Sequence, residues 1–148
     1  MGSQYASPAD LTTTGINPFA LQDIAAPSLV AACQQASELA DSYLRGRYAL
    51  PLLAWGGDIT YRVAQIAVYM ALAARGYDPS TGADETIRKN YEDAVKWFEG
   101  VQRQSVHPDV TPSVAQPGDP VHDLPQVQTS PQRGWLTSSP QGKPTVGW

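Results

Sequence analysis

Apolar residues recur along the first hundred positions at spacings of three and four, the mark of helices that bury one face. Over 27–45, Leu29, Cys33, Ala36, Ala40 and Tyr43 are spaced four, three, four and three apart. Gln34, Gln35, Glu38 and Asp41 fall on the opposite side, so a helix there is expected to bury the stripe and leave these four facing water. A second helix is expected from Asp58, as its N-cap, to about Arg75, with Gly76 as the stop. Its apolar positions cover more than one face: Ile59, Val63, Ile66 and Met70 on one, Val68 and Leu72 on others. All-round apolarity predicts a central, surrounded helix. Residues 77–83 (YDPSTGA) form a turn-rich connection. A third helix is expected over 84–104, with Ile87, Tyr91, Ala94, Phe98 and Val101 as its stripe. Glu85–Lys89, Glu92–Lys96 and Glu99–Arg103 are acid-before-base pairs four apart, which mark its solvated side.

Two capping patterns precede these helices. Ser7-Pro8-Ala9-Asp10 offers a Ser cap, a Pro at the first helical position and an acid three residues on, and Asn17-Pro18 repeats the cap-plus-Pro pair. They predict two short helices over 8–13 and 18–25, ended by Gly15 and Pro27. After residue 104 the pattern changes. Residues 105–148 contain eight prolines and no run with a period of 3.6 or 2.0, so neither a helix interior nor a sheet centre is expected. Extended chain suits that composition. The expectation is an all-α fold: a small bundle of three long and two short helices over 1–104, followed by a long extended Pro/Gly-rich arm over 105–148.

One connection stands apart from ordinary loops. Residues 41–53 read DSYLRGRYALPLL. Arg45 and Arg47 flank Gly46, which is suited to ending the helix. Tyr48, Leu50, Leu52, Leu53 and Trp55 then keep the connection apolar up to Gly56-Gly57. That surface needs cover, either from the chain's own core or from a partner. The two cations have a similar choice, between the last carbonyls of the preceding helix and an external phosphate or carboxylate. Interface anchors are expected at Arg45, Arg47, Tyr48, Leu50, Leu52 and Trp55, and in the arm at Trp135, Leu136 and Trp148.

Composition narrows the function. The 148 residues carry a net charge of −4, contrary to the basic character of a general nucleic-acid binder. The single cysteine, Cys33, excludes an internal disulfide and a thiolate cluster, and fits a reducing compartment. No basic segment leading into an apolar run opens the chain, so a secretory signal is not expected, and the stretch 59–74 is too short to span a bilayer. Both histidines, His107 and His122, fall in the arm, a poor mount for catalysis. Ser105, His107 and Asp109 lie too close together in extended chain to make a triad. Asp119, His122 and Asp123 read as solvated polar residues rather than a metal site, since a closed site needs four ligands in fixed geometry. Cys33 sits on an apolar stripe, where an inert thiol is expected. No phosphate-cradling glycine motif is present. No catalytic residue, cofactor or metal is therefore expected.

The segment SYLRGRYALPL, the apolar helix after it and the amphipathic helix ending in YEDAVKWFEGV together resemble the Mu-like head–tail adaptor proteins of tailed bacteriophages, also called head-completion or neck connector proteins. The likeness covers roughly residues 7–104, and the Gly147-Trp148 ending also resembles relatives. The resemblance implies a virion protein, assembled in the host cytoplasm, that forms a dodecameric ring between the portal and the next neck or tail-completion component. DNA would pass through the lumen without specific binding, no membrane would be involved, and the arm would contact neighbouring subunits or the portal. The residues alone leave a rival: a small helical regulatory protein whose Pro-rich tail recruits a partner.

Overall fold

A computed structural model describes residues 2–76 and 83–114. The arm beyond residue 114, with Trp135, Leu136, Trp148 and the Asp119–His122–Asp123 group, lies outside the described residues, as does nearly all of the 77–83 turn.

Three helices form the body: α1 (Ala26–Leu44), α2 (Gly57–Arg75) and α3 (Ala83–Gln102). Helix α2 packs against both others and against a turn near the N-terminus, as its all-round apolarity predicts. Ile59, Val63, Ala64, Ile66 and Ala67 are completely buried, and Ile87, Ala94, Phe98 and Val101 of α3 close over them. Burial of a Phe98-sized side chain contributes about 2–3 kcal/mol. Gly76 is left-handed (φ 86°) and ends α2, as its position predicts.

Three local expectations change. The buried face of α1 includes Ser37 and Asp41 as well as the apolar stripe. Asp41, expected to face water, is 6% exposed because the N-terminal segment lies across it. The Tyr5 hydroxyl donates to Asp41 Oδ1, and the Tyr5 backbone N–H donates to Ser37 Oγ at 3.0 Å. Asp58 is not the N-cap of α2; Gly56 holds that position. Asp58 sits inside the first turn, where Oδ1 accepts from Ile59 N at 2.9 Å and Oδ2 accepts from Asp109 N at 3.4 Å. The two short helices are 3-10 turns, Asp10–Thr14 and Pro18–Leu21. Ser7 does not cap the first, whose N-cap is Ala9 with no side-chain bond; Asp10 Oδ2 instead accepts from Ser7 N and Ser7 Oγ at 2.7 Å each. Asn17 caps the second as expected, its Oδ1 accepting from Phe19 N at 3.1 Å. In the first turn the hydroxyls of Thr12, Thr13 and Thr14 donate to carbonyls three residues back, which favours the tighter winding.

The fold also holds a sheet, which an all-α reading omits. Strand β1 (Leu52–Trp55) pairs antiparallel with β2 (Val110–Pro112) in the register Leu52↔Pro112, Ala54↔Thr111 and Trp55↔Val110. The shift between Leu52 and Ala54 makes Leu53 a bulge. Proline is tolerated in β2 because it stands at the strand's end, on an edge. The packed chain accordingly continues past 104 through β2. After α3 the chain reverses through Gln104, left-handed at φ 64°, and both Ser105 N and Val106 N donate to Gly100 O. A Cβ on Gly100 would stand 2.8 Å from a Val106 methyl, so glycine there permits the reversal.

Candidate functional site

The connection between α1 and α2 is where sequence reasoning placed the site. Helix α1 ends without a left-handed residue; Arg47 N and Tyr48 N both donate to Leu44 O, closing the last turn. Gly46 has open space around it and a negative φ, so its expected role as helix breaker is not used.

Arg47 reaches a carbonyl of another helix. Its Nη1 donates to Val101 O at 3.2 Å and Val106 O at 3.3 Å, and its Nη2 donates to His107 Nδ1 at 2.6 Å. A guanidinium can only donate, so Nδ1 is the accepting nitrogen of that ring. The same group stands 5.2 Å from the centroid of the Tyr48 ring. One side chain thus joins the end of α1 to the end of α3 and to the segment that leads into β2. Gly56 N completes the junction by donating to Asp109 O at 2.8 Å. His107, expected on an extended arm, is part of this junction.

The apolar residues of the connection divide. Tyr48 (6% exposed) and Leu52 (4%) are buried in the chain's own core. Leu50 and Trp55 are partly buried against it, and Trp55 meets Tyr5 edge-on with ring centroids 4.9 Å apart. Self-burial therefore accounts for Tyr48 and Leu52, which were nominated as anchors. Arg45 is exposed. Leu53 is 67% exposed, and sequence reasoning did not single it out. The signal was available: adjacent residues of a strand point to opposite faces, so Leu52 and Leu53 cannot both be buried in one core. The bulge at Leu53 aims it outward. Val114, just past β2, is 66% exposed. Leu53, Val114 and Arg45 are thus exposed here, as are Asp58, His107 and Asp109.

The ionisable groups show structural roles. Burial pushes the Cys33 thiol up to about 11, away from nucleophilic reactivity. Burial, followed by the hydrogen bond and charge of Asp41, raises Tyr5 far above the usual phenol range. The Ser7 backbone and hydroxyl hydrogen bonds lower Asp10. Among the described residues no group of three His, Cys, Asp or Glu side chains is placed to hold a metal, and no helix is long and apolar enough to cross a membrane.

Comparison with protein families gives a match to the family described as Bacteriophage Mu, Gp36, over residues 4–121. The match takes in both 3-10 turns, all three helices and both strands. Comparison with curated proteins gives no match.

Proposed function

The chain belongs to the bacteriophage Mu Gp36 family, and from that premise we propose that it is a structural virion protein, a head–tail adaptor that acts without catalysis. In this reading, copies form a dodecameric ring between the portal and the next neck or tail-completion component. The observation that supports it most directly is the family match across the entire described fold.

The geometry adds support of a different kind. Several polar side chains hold the chain together: Arg47 a junction, Asp41 the Tyr5 hydroxyl, Asp58 a helix start and the residue before β2. Around the sheet, Leu53, Val114 and Arg45 are exposed together with Asp58, His107 and Asp109. Exposed apolar side chains rimmed by polar ones are the material of protein interfaces. The net charge of −4 suits a conduit wall to which DNA does not adhere.

The test is binding of the purified protein to DNA-filled portal–capsid particles. Stoichiometric attachment at the portal vertex, with DNA retention that depends on the protein, is expected. Particles that hold their DNA without it and do not bind it refute the adaptor role.

A further inference from the structure

Three ion pairs join charges within the described chain: Arg75 with Asp23, Arg88 with Glu92 and Arg103 with Glu99. Two helix faces carry charges that stay outside these pairs. On α1, Val30, Gln34, Glu38, Ser42 and Arg45 are spaced four, four, four and three apart, so they form one line, and all five are exposed. Among the described residues the side chains of Glu38 and Arg45 enter no ion pair or hydrogen bond. At the start of α2, Asp58 and Arg62 stand four apart on one face, with exposed Tyr61 beside them. Arg62 is half-buried and held in place: its Nη1 donates to Gln65 Oε1 at 3.1 Å, and its guanidinium lies 5.7 Å from the centroid of the Tyr61 ring. Among the described residues it nevertheless pairs with no carboxylate. Asp58 accepts from Ile59 N and Asp109 N, both neutral donors, and stays exposed, as does the neighbouring Asp109.

We propose that the exposed line of α1 packs against the start of α2 in a second copy of the chain, the two helices antiparallel, with Glu38 meeting Arg62 and Arg45 meeting Asp58. The proposal rests on the ring reading above and names its subunit contact. Charge order carries it. On both faces the acid precedes the base, so antiparallel approach sets each charge against its opposite, whereas parallel approach sets like against like. The spacing also fits. Seven residues put Glu38 and Arg45 about 10 Å apart along α1, and four put Asp58 and Arg62 about 6 Å apart along α2. Two long arginine side chains take up that difference. The faces belong to different helices and no ion pair joins them within one chain, so the contact is heterologous and runs head to tail, the kind that closes into rings. The rest of the surface suits an interface. Residues 24–37, which lead up to Glu38, contain no charged side chain, and Tyr and Arg are the types enriched where protein surfaces meet.

The test exchanges charges in the full chain. Assembly is read by analytical ultracentrifugation of the protein alone at low salt, where exposed charges are least screened, and as copies per particle after mixing with portal–capsid particles. Arg62→Glu and Glu38→Arg should each weaken self-association at least about tenfold. The double variant should recover to within about threefold of the parent chain. An equimolar mixture of the two single variants should recover as well, because alternating copies again set opposite charges at every contact. A merely structural role for either residue gives no such recovery. Arg45→Glu, at an exposed side chain, should weaken assembly in the same direction, and it serves in place of Arg62→Glu if that variant loses helical circular dichroism. Single variants that assemble like the parent, or losses that neither the double variant nor the mixture repairs, overturn the proposal. So does a parent chain that shows no self-association in either setting; if that chain still attaches singly at the portal vertex, the adaptor role stands. Self-association with this charge pattern in a chain that never attaches sinks the adaptor role alone.

Discussion

Replacing Arg47 by alanine separates two accounts of the connection between α1 and α2. If the guanidinium exists to meet a partner, the isolated protein will not miss it. If it is the junction seen here, the fold will. The side chain donates hydrogen bonds to Val101 O, Val106 O and His107 Nδ1. Bonds from a charged donor are worth about 1.5–3 kcal/mol each where the partner is left dry. The junction is only part-buried, so water replaces some of what is lost. The Tyr48 contact adds about 0.5 kcal/mol at such exposure. A loss of about 2 kcal/mol is the balance, or roughly 8 °C in melting temperature for a unit of this size. Urea unfolding followed by circular dichroism and tryptophan fluorescence measures it, and Trp55 reports on the junction directly. Arg47→Lys should recover no more than about half, because an ammonium on a flexible stem cannot span three acceptors held in a fork. In a double-mutant cycle with His107→Ala, the coupling should stay near or below about 1 kcal/mol, since His107 is exposed. A loss under about 0.5 kcal/mol for Arg47→Ala, with portal attachment abolished, refutes the junction account and returns Arg47 to the interface.

Truncation after residue 114 should leave helical signal and melting nearly unchanged, whereas truncation after 104 should destabilise the fold by several kcal/mol, because it removes His107, buried Pro108 and β2. Tyr5→Phe deletes the donor to buried Asp41 and should cost about 1–3 kcal/mol in urea unfolding. Leu53→Asp should change stability by less than about 0.5 kcal/mol yet reduce attachment to portal particles, and a destabilised variant would show that Leu53 packs inward. Cys33 and Tyr5 both hold their protons more tightly when folded, so their share of stability is full below the unfolded values and is lost as pH rises. Denaturation profiles should therefore fall above about pH 9, and less steeply for Tyr5→Phe.

Much of the fold was legible because helices declare themselves locally. The stripes of α1 and α3 and the all-round apolarity of α2 are properties of neighbours three and four apart, and Gly76 stops α2 by its own geometry. What was illegible depends on distant partners. Asp41 looks solvated until Tyr5, thirty-six residues away, donates to it. The sheet pairs residues 52 and 112, and β2 alone, three residues ending in Pro112, carries no strand pattern. The Pro-rich composition of 105–148 obscured its first ten residues, which pack on the helices by virtue of Val106, Pro108 and the ladder. At the candidate site the run of apolar residues was visible, but not which of them turned inward. Alternation along a strand turns Leu53 away from Leu52, but that the segment is a strand shows only through its pairing with β2.

The small sheet also sets where mechanical load enters the protein. Tension on residues beyond 114, whatever they hold, first meets β2, its ladder to β1 and the Ser113 N–H donating to Ala49 O. The Arg47 junction lies next along the chain, and α3 comes after both. Pulling on the tail therefore strains a few backbone hydrogen bonds and one guanidinium before it reaches the helix. On that path the ladder would act as a mechanical fuse, yielding before the helical core opens. Were the chain held in a particle as proposed, give confined to three residues of strand would let it move against its anchor without unfolding.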